Sequence, residues 1–176
     1  MILIKLVEVI VMLQLTQKER MLLEDEKHHE DICIKKYKNY AQQAQDTQLK
    51  NLFNSHAQVE QHHFDTINQM LQGQEPNMNQ GQQGQQQQGQ QQQSGTTQAT
   101  GQQTSYQGAM RNVGDEVLCS DLLSTEKYIS GTYDTAIFEA VNPTVRQTLQ
   151  HIQQEEQKHG EDIFNYMNSH GMYNVK

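Results

Sequence analysis

The chain has 176 residues, a hydrophobic fraction of 34% and a formal net charge of −8. This acidic balance argues against binding to the phosphate backbone of nucleic acids or to an anionic membrane surface, since both need a basic protein surface. The two cysteines, Cys33 and Cys119, lie far apart and have neither the spacing of a metal or redox motif nor the number that a disulfide scaffold requires. We therefore expect synthesis in a reducing compartment.

Residues 1–15 form an apolar N-terminal extension. The segment contains Lys5 and Glu8, and at 15 residues it is too short and too charged for a confident membrane span. It also lacks the small-residue cleavage site of a signal peptide. Three interpretations stay open: a helical or poorly ordered extension that results from an upstream start site, a weak anchor to a membrane or a partner, and a true signal sequence. The sequence does not decide whether residues 1–15 belong to the mature protein.

Two helices are predicted after this extension. Thr16 is a suitable N-cap with Glu19 as its capping-box partner, and the first helix is expected over residues 17–44. Asp46 is a suitable N-cap for a second helix that continues to about Leu71. Both helices carry an apolar stripe at helical spacing, which predicts that they pack against a common core.

Residues 72–109 are almost entirely Gln, Gly, Thr and Ser and have no hydrophobic period. Such a segment cannot bury enough apolar surface to offset the cost of ordering it, so we predict a flexible, disordered linker. Gln-rich tracts also associate with one another through their side-chain amides, which leaves a second role in assembly open.

Two further helices are predicted after the linker. The third is expected over residues 112–141. Asn142-Pro143 is a strong start for the fourth helix, because it combines an N-cap residue with proline at the first helical position. This helix is expected to continue to about His170 and to end at Gly171. The predicted fold class is therefore all-α, a four-helix bundle built from two helical hairpins with a long crossover insert.

The two hairpins are related by an internal repeat. A shift of 96 residues aligns residues 25–71 with the second hairpin without a gap and superposes two Glu-x-x-His motifs. The pairs that match at this shift include Asp25 and Asp121, Glu30 and Glu126, Tyr37 and Tyr133, Glu60 and Glu156, His63 and His159, and Ile67 and Ile163.

Six polar residues fall among the apolar positions of the predicted stripes. Each unpaired buried charge costs several kcal/mol, so these residues must be protonated, hydrated, paired or bound to a metal. One Glu from each of two helices and a Glu-x-x-His from each of the other two form the di-metal arrangement found in helical bundles. All six positions are present: Glu30, Glu60, His63, Glu126, Glu156 and His159. We therefore predict a present or former site for two metal ions.

The heights of these residues along the bundle agree with this prediction. Glu30 and Glu60 each lie about 15 residues from the first interhelical turn, on opposite sides of it, so an antiparallel hairpin places them at one level. Glu126 and Glu156 are placed in the same way about the second turn. The alternative is that the six residues are remnants of an ancestral site and are solvated by buried water.

The positions of other polar residues relative to these six predict their roles. Tyr37 and Tyr133 lie seven residues after Glu30 and Glu126, so each is expected either to hydrogen-bond a site carboxylate or to pack in the core with a polar tip. His56 also faces inward, as a support for the site or as a satisfied core residue. No catalytic residue is assigned. The remaining charged residues near the motifs are expected to be solvated: Glu26, His28, His29, His62, Glu155 and Glu161.

The segment from Leu15 to Leu71 combines an LT-x-KE opening, KKY and YA within a long helix, a D-x-x-L-K turn and a Gln/His-rich stretch before an apolar tail. It resembles the spore coat protein F (Coat F) family, and NPTVRQTLQHIQQEEQKHGEDIFNYM looks like the rest of that domain. The resemblance implies a ferritin-like bundle and a structural role in the coat of bacterial endospores. The ferritin-like superfamily implies the carboxylate-bridged di-iron or di-manganese option at the six positions. The Gln-rich insert and the apolar N-terminus depart from the family pattern.

We therefore expect residues 16–71 and 110–171 to form one ferritin-like bundle, with 1–15 as an extension and 72–109 as a linker. The expected function is structural, in the spore coat after synthesis in the mother-cell cytoplasm, with other coat proteins and the chain itself as partners. No nucleic-acid partner is expected, and membrane contact is expected at most through the extension. One alternative is a di-iron or di-manganese oxidase or peroxide-scavenging enzyme. Another is a surface-binding module that acts through the Gln-rich segment.

Overall fold

A computed structural model of the protein describes residues 12–76 and 113–174. These residues form four α-helices: α1 (Gln17–Gln43), α2 (Thr47–Leu71), α3 (Val113–Glu139) and α4 (Pro143–Ser169). No strand occurs in the described ranges. The prediction of an all-α fold with two helical hairpins is confirmed, and the helix ends lie within about two residues of the expected positions.

The helices begin at the residues whose side chains can cap them. Thr16 and Glu19 form the predicted capping box, in which the Glu19 backbone N–H donates to Thr16 Oγ1 and the Thr16 backbone N–H donates to Glu19 Oε2. Asp46 accepts hydrogen bonds from the first turn of α2, and Asn142 does the same for α4. Gly171, with a φ of 68°, ends α4 in the left-handed conformation that glycine adopts at least cost.

The two hairpins pack as one bundle. α1 pairs with α2 and α3 with α4, and the hairpins meet chiefly along α1 and α3. Two apolar clusters fill the interior. One contains Leu49, Phe53 and Ala57, which precede the Glu-x-x-His motif of α2, and the other contains Ile67 and Met70, which follow it. The polar residues of that motif therefore lie in a layer between two apolar clusters.

An acidic side chain of each hairpin accepts hydrogen bonds from the interhelical turn of the other hairpin. The Glu19 carboxylate accepts hydrogen bonds from two backbone N–H groups of the α3–α4 turn at 2.8 and 2.7 Å. The Asp115 carboxylate accepts from two backbone N–H groups of the α1–α2 turn, both at 3.0 Å. Glu19 and Asp115 are 96 residues apart, the spacing of the internal repeat. The repeat is therefore a two-fold relation in space as well as in sequence.

Parts of the chain lie outside the described residues. The apolar extension was predicted over 1–15, of which 12–15 are described. Leu13 is buried in a core cluster, and its backbone N–H donates to the Gly73 carbonyl at 2.7 Å. The predicted linker, residues 72–109, lies outside the described residues from residue 77 onward. Among the described helices, none has the length and apolar character that crossing a membrane requires.

Candidate metal centre

The six polar residues predicted to share a site come together at the middle of the bundle. α1 supplies one Glu, α3 supplies one Glu, and α2 and α4 each supply a Glu and a His from consecutive turns. All are at least 97% buried: Glu30, Glu60, His63, Glu126, Glu156 and His159. Three-residue spacing places the Glu and the His of each motif on one helix face, which explains why both can turn inward.

These residues form two groups of potential ligands. Group 1 comprises Glu30, Glu60, His63 and Glu156, and group 2 comprises Glu60, Glu126, Glu156 and His159. In each group, one oxygen or nitrogen from every residue lies within 4.8 Å of the others. Ligands of one ion with bonds of about 2.0–2.2 Å lie up to about 4.4 Å apart, so an inward shift of a few tenths of an ångström would bring each group around one ion. Glu60 and Glu156 belong to both groups, which is the position of bridging carboxylates.

Each imidazole approaches a carboxylate of the opposite hairpin, and His63 also approaches Glu30 of its own hairpin. His63 Nδ1 lies 2.8 Å from Glu156 Oε1 and 3.5 Å from Glu30 Oε2. His159 Nδ1 lies 2.8 Å from Glu60 Oε1. The contacts of His63 Nδ1 are not oriented as hydrogen bonds, although the distances are short. The same nitrogen of each ring therefore points into the centre.

Two tyrosines orient the carboxylates that belong to a single group. The Tyr133 hydroxyl donates a hydrogen bond to Glu30 Oε1, and the Tyr37 hydroxyl donates to Glu126 Oε1. Both tyrosines are fully buried, and each comes from the hairpin opposite to its carboxylate. One oxygen of each carboxylate is thereby fixed, and Oε2 is left facing the centre.

His63 is also held from its outer side. Its Nε2 lies 2.9 Å from Glu155 Oε2. A proton on Nε2 that is donated to Glu155 leaves the Nδ1 lone pair free for a metal, the usual arrangement of a ligating histidine. Burial opposes ionisation of Glu155, but the hydrogen bond and charge of His63, together with the charges of His151 and His159, outweigh it and hold the pKa of that carboxyl below its ordinary value.

His56 packs behind the other histidine. Its ring stacks on the His159 ring with 4.2 Å between centroids and meets the Tyr37 ring edge-on at 5.3 Å. His56 Nε2 lies 3.5 Å from Asp162 Oδ2. Burial lowers the pKa of His56 to about 4, so the ring is neutral at neutral pH. The repeat places Ile152 at the equivalent position, so this support exists on one side only.

Without a cation, the carboxylates repel one another. Burial, followed by repulsion from neighbouring carboxylates, raises the pKa of Glu60 and Glu126 well above the ordinary value and that of Glu156 to about 8. Burial also opposes the charges of Glu30 and His63. The pKa of Glu30 is nevertheless lowered, chiefly by His63, and that of His63 is raised by its carboxylate neighbours, Glu155 first. The metal-free centre therefore favours charge on Glu30 and His63, whereas burial and repulsion favour the protonated form of Glu60, Glu126 and Glu156.

The donor set fits two divalent cations. Four carboxylates carry four negative charges, which two divalent ions neutralise. Leaving a buried polar atom without a partner costs about 1–3 kcal/mol. Six atoms of the centre are buried with no hydrogen-bond partner among the described residues: Glu30 Oε2, Glu60 Oε2, His63 Nδ1, Glu126 Oε2, Glu156 Oε1 and Glu156 Oε2. A metal pair would give partners to all six at once.

The expectation that Glu26 is solvated is wrong. Its residue surface is only 3% exposed, Thr132 Oγ1 donates to its Oε2 at 3.0 Å, and His29 Nδ1 lies 3.1 Å from the same oxygen. Glu26 lies four residues before Glu30 and so on the same helix face, a signal that the sequence already contained. Glu155, also expected in solvent, is partly buried through its contact with His63.

Comparison with known proteins gives one finding. Residues 114–176 match the family model of the Coat F domain. The match covers the second hairpin and confirms the predicted relationship to that family, whereas most of the residues that first indicated it lie in the first hairpin. No curated protein and no solved structure gives a significant match to the chain.

Proposed function

From the Coat F domain at residues 114–176, we propose that this protein is a structural component of the bacterial endospore coat whose helical bundle holds two metal ions. The domain match supports the coat role. The metal centre is supported by one observation above all. Six buried polar atoms without a hydrogen-bond partner among the described residues come from four helices and belong to two compact groups.

The six residues have distinct roles in the proposed centre. Glu30 with His63, and Glu126 with His159, would each hold one ion. Glu60 and Glu156 would bridge the two ions, because both groups contain them. Ions bound there would link the two hairpins and would supply redox chemistry if they are iron or manganese. The hairpins meet mainly along α1 and α3, so the link between α2 and α4 would add rigidity at the less extensive of these two helix contacts between the hairpins.

Metal content tests the centre. The protein is expressed with iron and manganese supplied, purified, and analysed for both elements. About two ions per chain are expected for the parent, and none for the double variant Glu60→Ala, Glu156→Ala. The matched control is Glu24→Ala, Glu161→Ala, which removes two carboxylates from solvent-exposed positions of α1 and α4 and should retain both ions. Equal metal content in parent and double variant would exclude the proposed ligands.

The ferritin-like oxidase or peroxide-scavenging enzyme remains the alternative function of the same centre. An enzyme differs from a structural protein in that its metal centre must convert substrate repeatedly. Peroxide consumption by the metal-loaded protein, lost in Glu60→Ala, Glu156→Ala, would favour the enzyme. A loaded protein that is inert toward oxygen and peroxide would leave a structural centre.

Localisation tests the coat role. A tagged copy expressed during sporulation is expected in the coat layer of purified spores, and its extraction should require the conditions that solubilise coat proteins. A tag that stays in the mother-cell supernatant would contradict the proposal. Deletion of residues 72–109 tests the separate idea that the Gln-rich segment drives assembly, because unchanged incorporation of the deletion variant would exclude it.

A further inference from the structure

A cavity of about 340 Å³ opens between α3 and α4 beside the centre. Glu126 and Glu156, the carboxylates of group 2, form part of its lining, together with Leu123, Ser130 and Gly160. Two residues of group 2 therefore border a surface gap between neighbouring helices, while their carboxylates lie almost fully buried beneath it.

Gly160 creates this gap. A Cβ atom at residue 160 would lie 3.7 Å from Glu126 Cβ and 3.8 Å from Leu123 Cδ1. These are ordinary van der Waals distances, so close packing of the helices does not require glycine here. Glycine in a helix interior costs about 1 kcal/mol relative to alanine. What the missing side chain provides is open space over Glu126.

In the first hairpin, the position equivalent to Gly160 carries a large side chain. Residue 64 is the counterpart of Gly160, and it is Phe64, half-buried four residues after Glu60. The Lys27 ammonium lies 5.0 Å from the centroid of the Phe64 ring. Lys27 is the counterpart of Leu123. The position that is empty beside group 2 is therefore filled by an aromatic ring beside group 1.

We propose that the cavity at Gly160 is the entrance through which divalent transition-metal ions reach the centre, and that the centre is loaded from the group 2 side. This inference rests on the proposed metal centre. An entering ion must exchange its hydration water for protein ligands one at a time, and Glu126 and Glu156 are the residues of the centre that border the cavity. Lys127 also lines the cavity, but its side chain is exposed. Solvent therefore screens the positive charge of Lys127 more strongly than it screens the charges of the buried carboxyl groups.

Metal uptake kinetics test the entrance. The full-length protein is stripped of metal with a chelator and mixed with Co²⁺ alone, and the absorbance of bound Co²⁺ is followed by stopped flow. Gly160→Phe, which copies the residue found at position 64, is expected to slow uptake about tenfold or more, equal to a barrier raised by about 1.4 kcal/mol. The final stoichiometry should stay at that of the parent, because no ligand is changed.

Two further variants separate an entrance from a general packing effect. Phe64→Gly is expected to speed uptake by opening the group 1 side, and it keeps the test valid if Gly160→Phe does not fold. The double variant Phe64→Gly, Gly160→Phe should regain much of the lost rate. Rates that equal the parent rate in all three variants would overturn the entrance while leaving the centre intact. A parent protein that takes up no Co²⁺ would overturn the centre and the entrance together.

Discussion

The metal-free protein should lose stability as the pH rises, and Glu156 should cause a large part of that loss. Burial and then the repulsion from Glu60 and Glu30 raise the pKa of Glu156 from 4.5 to about 8. Between these two values, the folded state retains a proton that the unfolded state releases. Stability therefore falls with rising pH, by about 1.4 kcal/mol per pH unit for one proton. From pH 5 to pH 8 the loss from this group is about 4 kcal/mol.

The substitution Glu156→Gln should remove this contribution. The amide has nearly the shape of the protonated carboxyl group and no charge at any pH in this range. The free energy of unfolding of the variant, minus that of the parent, should therefore grow by up to about 4 kcal/mol between pH 5 and pH 8. Groups that titrate equally in both proteins cancel in this difference.

Urea denaturation followed by circular dichroism, with excess chelator, measures this difference by linear extrapolation. Glu161→Gln is the matched control, because Glu161 is exposed on the same helix. The free energy of unfolding of Glu161→Gln should change with pH by the same amount as that of the parent from pH 5 to pH 8. If the curve of Glu156→Gln is also parallel to the parent curve, Glu156 is not a buried carboxyl group with a raised pKa, and the electrostatic account of the centre is wrong.

Four further outcomes are expected. A chelator should lower the melting temperature of the loaded protein by about 10–20 °C. The reason is that each bound ion adds about 2.7 kcal/mol to the free energy of unfolding when the free ion concentration is 100 times its Kd. Metal affinity should rise with pH, and calorimetry in buffers of different ionisation heat should detect released protons, since three of the four carboxyl groups have raised pKa values. Tyr133→Phe should cost about 1–3 kcal/mol of unfolding free energy by removing the hydrogen bond to Glu30, whereas Tyr128→Phe at an exposed position should cost almost nothing. Glu19→Ala should cost about 2–3 kcal/mol in the same urea assay, because two backbone N–H groups of the α3–α4 turn lose their acceptor.

The four helices were predictable because their signals are local. Thr16, Asp46 and Asn142 are strong N-caps, and the apolar stripes have the helical period. The convergence of the six polar residues was also predictable, since the 96-residue repeat and the equal distances from the turns place them at one height. These features depend on spacing along the chain, which a sequence displays directly.

Contacts between the hairpins were harder to predict. The burial of Glu26 depends on Thr132 of α3, and the outer contact of His63 depends on Glu155 of α4. The repeat gives no guide to Glu155, because its counterpart is Val59. Such contacts depend on the rotation of one helix against another, which helical period alone does not fix. They appear where the two halves of the molecule differ.

The turn contacts show a signal that was present but unused. The 96-residue shift pairs Glu19 with Asp115, which lie before the gap-free alignment that begins at residue 25. An acidic residue at both positions indicates a shared role, and the structure shows that role to be acceptance of hydrogen bonds from the opposite turn. Extending a repeat to its ends therefore yields structural information that motifs alone do not.

Anomalous diffraction from crystals of the manganese- or iron-loaded protein tests the proposed centre most directly. We expect two peaks per chain, one between Glu30 and His63 and one between Glu126 and His159, both within bonding distance of Glu60 and Glu156. Three results at full loading would contradict the shared-carboxylate centre: a single peak, peaks elsewhere on the acidic surface, or ordered water in place of metal. The buried carboxyl groups would then be accommodated by protonation and not by metal.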